Sequence, residues 1–275
     1  MYKLNILATN NCNAQVLQAT KDSPGVCAFC FRQETDVLTN REKMIQVVHK
    51  IKELPFEDIV TVTGGEPLLS RFIVPLVKEL QQSGKKVSLH TNGILLENYL
   101  EKFDGSVSFI SLPYDGNKPE SANYYRGVGY YDIQQRNFSI LKDSGIKIGI
   151  NTLLTPYNYD IIEEMALELK NYENIWYWFV KIFKRMNMSL KTVTNEYELD
   201  MDRYIAKVER LRTICPHIDI YPSNKVKQRK PIFIDLSGDV FIFSDATQKN
   251  AFAGNILCDD FRLIESFLTL HGGEK

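Results

Sequence analysis

Three things are missing from this 275-residue chain, and each absence narrows its class. It has no excess of charge: 33 Lys and Arg face 34 Asp and Glu, a formal net charge of -1, so the basic coat of a nucleic-acid binder is not expected. It has no apolar run near the ~18 residues that suggest a membrane span, and residues 1–7 lack a basic stretch followed by a signal-like apolar segment. Its cysteines are few and odd in number, five in all, unlike the dense and even set of a disulfide scaffold. The expectation is a cytoplasmic protein in a reducing compartment, without membrane or nucleic-acid partners. Cysteines that cluster there read as metal-binding or catalytic.

What is present is an ordinary globular composition, 44% hydrophobic and 24% charged, with enough apolar residues to bury a sizeable core. At about 150 residues per domain, the length suits one domain with an appendage. Short strand-like runs at residues 4–9, 58–63, 86–91, 107–112, 146–155 and 175–183 alternate with helical patterns at 72–82, 95–103, 131–142, 159–170 and 199–213. A further helix opens after Thr39, the expected cap, with Glu42 reaching back. Strands joined by helices predict right-handed crossovers and a parallel sheet buried on both faces. The fold class is therefore α/β, a partial (β/α)6 TIM-like barrel over residues 1–215, with its chemistry at the C-terminal ends of the strands. Residues 216–275 read as an extension: a β-hairpin of residues 232–236 and 240–243 around Ser237-Gly238-Asp239, then an amphipathic helix at 261–270.

Cys12, Cys27 and Cys30 directly follow the first predicted strand, spaced as Cys, fourteen residues, Cys, two residues, Cys. The C-x-x-C pair puts two thiolates on one turn, and a third can join them across a loop. Three thiolates would leave one iron of a four-iron cluster open to a further ligand. A zinc site completed by Cys215, Cys258 or a histidine fits the same cysteines equally well, and a redox C-x-x-C is a third possibility. The second strand runs into Thr63-Gly64-Gly65-Glu66-Pro67, where two glycines permit close backbone approach and a carboxylate can receive an ammonium group.

The three cysteines after strand one, Gly-Gly-Glu-Pro after strand two and the strand–helix alternation together resemble the radical S-adenosylmethionine superfamily. That resemblance implies one 4Fe-4S cluster on Cys12, Cys27 and Cys30, its fourth iron chelated by S-adenosylmethionine. It implies that Phe29 lies near the adenine, and that Gly64, Gly65 and Glu66 bind the methionine amino group. Ser111, in the segment from Val107 to Asp115-Gly116, would approach the ribose or the methionine. Arg126 would pair with the cofactor carboxylate and Asn151 with the ribose hydroxyls, whereas Asn92 reads equally as a turn residue. The fourteen-residue spacer departs from the superfamily's usual three; a comparable one occurs among 7-carboxy-7-deazaguanine synthases, which this chain does not otherwise resemble. Loop closure costs only logarithmically more with length, so the site survives it, with residues 13–26 as a candidate substrate lid.

By the same resemblance, a one-electron donor such as a flavodoxin or ferredoxin reduces the cluster, and a 5'-deoxyadenosyl radical takes hydrogen from a substrate carbon. A small molecule such as a nucleotide is the first expectation. A maturase acting on a ribosomally made peptide is the alternative, and a non-enzymatic zinc or iron–sulfur protein the next. The tail resembles an auxiliary-cluster domain without its cysteines, so one cluster is expected and Cys215 and Cys258 read as bystanders. His49, His90, His217 and His271 read as ordinary histidines, Trp176 to Phe179 as packing, and Lys181 or Lys184 as an amine that could turn inward.

Overall fold

The computed structural model describes residues 2–22, 25–30, 39–54, 56–184, 195–222, 231–244 and 247–258. Six parallel strands lie side by side in chain order: β1 (Tyr2–Thr9), β2 (Phe56–Gly64), β3 (Lys86–His90), β4 (Phe109–Pro113), β5 (Lys147–Leu154) and β6 (Ile175–Ile182). Helices α1 (Arg41–Glu53), α2 (Ile73–Gln82), α3 (Leu100–Phe103), α4 (Pro119–Arg126), α5 (Tyr130–Lys142), α6 (Ile162–Leu169) and α7 (Met201–Ile214) supply the crossovers. This is the predicted α/β barrel of six strand–helix units.

Local chemistry explains the element ends, with some corrections. Asn40, not Thr39, caps α1: its Oδ1 accepts from Lys43 N–H at 2.9 Å. The Thr39 hydroxyl donates instead to the Leu236 carbonyl at 2.6 Å, fastening the tail hairpin to the start of the helix. The expected helix at 95–103 is broken into a 3-10 turn, Leu96–Asn98, and the short α3, stopped by Asp104 in the left-handed region (φ 48°). Helix α4 was not anticipated, because its eight Tyr-rich residues carry no long apolar period. Pro119 opens it.

Beyond residue 215 the chain lengthens both edges of the sheet. β7 (Asp219–Pro222) pairs in parallel with β6, and β8 (Ile232–Asp235) in parallel with β1. The expected hairpin forms between β8 and β9 (Asp239–Ser244), and β10 (Lys249–Asn255), a strand the sequence pattern did not show, pairs antiparallel with β9. Among the described residues the sheet thus has ten strands. The amphipathic segment at 261–270 lies outside the described residues.

Alternation along the strands separates two faces. The outer face, packed on the helices, is buried and apolar: Leu4, Ile6, Val60, Val62, Val87, Leu89, Ile110, Ile148, Ile150, Trp178 and Val180. The inner face does not share that dryness, contrary to the expectation of a sheet buried uniformly on both sides. In-register pairing places Asn5, Thr61, Thr63, Ser88, His90, Ser111, Asn151, Tyr177 and Lys181 on it, several of them half-buried. A polar, partly open lumen is a binding space rather than a core.

Candidate active site

The site begins where β1 and β2 end. Thr9 pairs with Gly64, Gly65 N–H donates to the Thr9 carbonyl at 2.7 Å, and Glu66 N–H donates to the Asn11 carbonyl at 2.7 Å. A Cβ on Gly64, whose φ is +141°, would run into the Thr9 carbonyl, and one on Gly65 into the Asn10 and Asn11 carbonyls. The close approach that the glycines permit is thus first that of the chain's own loop, the one that carries Cys12.

The fourteen-residue spacer returns along the C-terminus of α4. Val128 N–H donates to the Gln18 carbonyl at 2.7 Å and Cys27 N–H to the Tyr125 carbonyl at 3.0 Å. Gly127 (φ +101°) has no room for a side chain, because Leu17, Gln18 and Val26 press on it. Cys27 takes a left-handed turn (φ 50°), and Cys30 N–H closes on its carbonyl at 2.9 Å. All three thiols are half-buried and free of disulfides. Cys27 feels both Cys30 and Cys12 electrostatically; burial pushes its thiol pKa up, and Arg126 works against that.

Two side chains address the thiols. Arg126 Nη1 lies 3.6 Å from Cys27 Sγ, and Asn92 Nδ2 lies 4.0 Å from Cys12 Sγ while donating to Asn13 Oδ1 at 2.8 Å. The rest of the Arg126 fork is committed: Nε and Nη2 meet Asp115 Oδ2 at 2.8 and 2.7 Å. The other Asp115 oxygen accepts from Leu153 N–H at 2.8 Å. Burial works against the guanidinium charge, yet Asp115 and then Cys27 hold its pKa above the ordinary arginine value. Arg126 also lies over the Phe29 ring, 4.9 Å from its centroid. Phe29 in turn meets Tyr125 and Tyr197 edge-on, each at 5.9 Å.

Glu66 is fully buried, and its carboxylate is already engaged. It accepts from Leu68 N–H at 3.1 Å, the Thr91 hydroxyl at 2.6 Å and Asn92 N–H at 2.7 Å, binding the β2 turn to the β3 turn. With three of about four acceptor positions filled, its main visible work is to position Asn92 and the glycine turn. Desolvation raises its pKa against these donors. Asn92, read from sequence equally as a turn residue or a ligand, is a junction: its carbonyl also accepts from the Tyr130 hydroxyl at 3.0 Å.

Deeper in the lumen, Asn151 Nδ2 donates to the Ser111 hydroxyl, and Tyr177 hydrogen-bonds to Ser111 and Ser88. Lys181 and His90 face the same space. Burial and then Lys181 drive the His90 pKa down to about 3; burial and then Arg126 bring Lys181 down to about 8. Sequence reasoning took His90 for an ordinary histidine. Its place as the last residue of β3, at the end of the strands where the chemistry was expected, was the available signal.

The other candidates lie elsewhere. Cys215 is buried against α6, its Sγ donating to the Ala166 carbonyl at 3.2 Å, and Cys258 is exposed. Trp178 sits on the outer face with Nε1 donating to Thr152 Oγ1 at 2.8 Å, and Trp176 stacks on Phe109 at 4.6 Å. His49 lies 3.5 Å from Glu79, and His217 is exposed. His271 is outside the described residues.

The residues present fit an iron–sulfur cluster with a nucleoside-bearing ligand. Cys27 lies within electrostatic reach of Cys12 and Cys30, and three thiols are the donor set that leaves one iron of a four-iron cluster open; among the described residues no three or more His, Cys, Asp or Glu side chains are gathered as around a single metal ion. Asn151 Oδ1 and the Tyr197 hydroxyl are buried without a protein hydrogen-bond partner, one beside Ser111 and the other beside Phe29. Unmet acceptors and hydroxyls of this kind suit a ligand's hydroxyl and amino groups.

A parallel α/β barrel with three thiols at its C-terminal mouth and a polar lumen beneath them defines a cofactor-dependent barrel enzyme. The comparison with known families makes this specific: the Radical SAM superfamily model matches residues 18–169, more than half of the chain, and the chain belongs to that superfamily. It is an enzyme of the radical SAM class, whose members use a 4Fe-4S cluster and S-adenosylmethionine. It is 28% identical over 177 residues to a probable GTP 3',8-cyclase of Methanocaldococcus jannaschii, covering 62% of this chain and 53% of that protein. It is also 28% identical over 157 residues to an S-adenosylmethionine-dependent nucleotide dehydratase of Lacinutrix mariniflava, covering 48% of this chain and 31% of that one. The chain spans about half the length of the curated GTP 3',8-cyclases it matches. Among solved structures, Streptococcus suis SuiB bound to S-adenosylmethionine covers 97% of this chain and 65% of its own, with TM-score 0.71 at 17% identity, a likeness of fold.

Proposed function

We propose that the chain is a radical SAM enzyme that acts on a small molecule, in the first place a nucleotide. Cys12, Cys27 and Cys30 would hold the 4Fe-4S cluster, and Phe29, Gly64, Gly65, Glu66, Ser111, Arg126 and Asn151 would surround S-adenosylmethionine. What supports this reading is three half-buried thiols at the mouth of one polar lumen, with an unmet acceptor, Asn151 Oδ1, deeper within it. The relatives named for GTP and nucleotide chemistry support the substrate class.

The bound group, reduced by an external one-electron donor such as a flavodoxin or ferredoxin, supplies a 5'-deoxyadenosyl radical for hydrogen abstraction; the chain's own residues hold and shield it. Gly64 and Gly65 seat the Cys12 loop. Glu66 fixes Asn92 beside that loop. Arg126 gives a charge-assisted N–H to Cys27 and, with Asp115, closes the site laterally. Phe29, Tyr125 and Tyr197 form an apolar wall that limits water. The barrel of residues 1–215 carries this chemistry, and the extension of residues 216–275 no second cluster, since Cys258 is its one cysteine.

The test is anaerobic reconstitution followed by reduction with S-adenosylmethionine and a panel of nucleotides. Formation of 5'-deoxyadenosine that rises with a nucleotide, with deuterium passing from it into the product, is the expected result. A rise with peptides instead would favour the maturase reading, and no 5'-deoxyadenosine at all would overturn both.

A further inference from the structure

We propose that Arg126 sets the reduction potential of the cluster on Cys12, Cys27 and Cys30, its guanidinium easing electron entry by compensating charge at the Cys27 sulfur. The inference rests on the functional reading above, and it gives a redox role to a residue that the superfamily resemblance assigns to the cofactor carboxylate.

The geometry divides the guanidinium between two partners. Nε and Nη2 meet Asp115 Oδ2 at 2.8 and 2.7 Å, and Nη1, the nitrogen that Asp115 leaves, lies 3.6 Å from Cys27 Sγ. Backbone bonds hold that approach from both sides. Cys27 N–H donates at 3.0 Å to the carbonyl of Tyr125, the residue before Arg126, and the other Asp115 oxygen accepts from Leu153 N–H at 2.8 Å. Phe29, inside the C-x-x-C turn, covers a face of the guanidinium, its ring centroid 4.9 Å from the central carbon. The Asp115 side chain is fully buried and that of Arg126 is 16% exposed, so salt and water screen these contacts little. Asn92 gives Cys12 a longer and neutral contact, at 4.0 Å, so the charge enters at Cys27.

A fixed positive charge acts on the redox step. One electron passes from the external donor, which is oxidised as the cluster is reduced; no bond forms or breaks, and the cluster gains one negative charge. The guanidinium, which stays protonated in proteins, favours that more negative state, and hydrogen bonds to the sulfurs act in the same direction. Asp115, bound to the other edge of the guanidinium, acts in the opposite sense.

The test is a redox titration of the reconstituted full-length chain, followed by electron paramagnetic resonance without S-adenosylmethionine, so that no contact to the cofactor carboxylate enters. Arg126→Gln should cut the reduced-to-oxidised ratio at a fixed potential by about tenfold, the scale of one charged hydrogen bond, or a midpoint about 59 mV more negative for a one-electron couple. Arg126→Lys, which keeps the charge, should shift it less. Asp115→Asn, which removes a negative charge and keeps an acceptor for Leu153 N–H, should shift the midpoint the other way. Equal midpoints in the wild type and Arg126→Gln, or shifts of one sign in Arg126→Gln and Asp115→Asn, would overturn the proposal. If Arg126→Gln loads no cluster, Asp115→Asn decides: a less negative midpoint supports the proposal and any other result overturns it. Iron and sulfide are counted in every sample. A wild-type chain that assembles no 4Fe-4S cluster overturns the functional reading and this proposal together, whereas a loaded cluster with unmoved midpoints overturns this proposal alone.

Discussion

Replacing Gly64 with alanine probes the contact on which the site is built. Its φ of +141° strains any residue with a Cβ, and the new methyl would overlap the Thr9 carbonyl, which belongs to backbone and cannot swing aside. Strain contributes about 1–3 kcal/mol and overpacking a similar amount. Weakening the 2.7 Å bond from Gly65 N–H to Thr9 adds about 1 kcal/mol. A loss on the order of 3–7 kcal/mol is a large part of a domain's typical 5–15 kcal/mol, and should lower the melting temperature by on the order of 10 °C. Gly84→Ala is the internal control, because Gly84 also has positive φ (+88°) but nothing within 4 Å of an added Cβ. Calorimetric melts of both variants, with iron content after reconstitution, form the assay. If Gly64→Ala melts no lower than Gly84→Ala and still loads iron fully, the account of the β1–β2 junction is wrong.

Other perturbations test neighbouring contacts. Asp115→Ala leaves Arg126 half-buried without its carboxylate and should cost about 3–5 kcal/mol in urea unfolding; Asp115→Asn, which keeps an acceptor for Leu153 N–H, should cost less. Gly127→Ala should release the spacer from α4, seen as faster proteolysis within residues 13–26 while the barrel persists. His90, facing Lys181, has a folded pKa of about 3, below the unfolded ~6.5. Its contribution is therefore present above pH ~6.5 and lost as pH falls toward 3, with a slope of at most about 1.4 kcal/mol per pH unit before solvent screening. His90→Gln should flatten that slope between pH ~6.5 and ~5 in denaturant titrations; an unchanged slope would show that His90 is not held neutral.

The barrel was legible because its outer-face residues, such as Val60, Val62, Ile148 and Ile150, mark the strands and the helices between them carry plain apolar periods. That Cys12 and Gly64-Gly65 share one end of the sheet was legible because each directly follows a predicted strand. What escaped was set by contacts distant in sequence. Asp115 bonds Arg126 eleven residues on, and Asn92 reaches Cys12 across 80 positions. Alternation alone marks Lys181 and His90 as sharing faces of their strands, but which face is the lumen emerges only once the sheet is assembled. β10 went unseen because Ala251, Ala253 and Gly254 have little strand propensity and owe their place to pairing with β9.

The central claim is that Cys12, Cys27 and Cys30 hold one cluster with an iron open to S-adenosylmethionine. Electron paramagnetic resonance of the reduced, reconstituted chain, recorded with and without S-adenosylmethionine, tests it most directly. The account predicts a 4Fe-4S signal that shifts when S-adenosylmethionine is added and that Cys12→Ala, Cys27→Ala and Cys30→Ala each abolish. A chain that takes up zinc alone, or a signal indifferent both to S-adenosylmethionine and to the loss of Cys12, would contradict it.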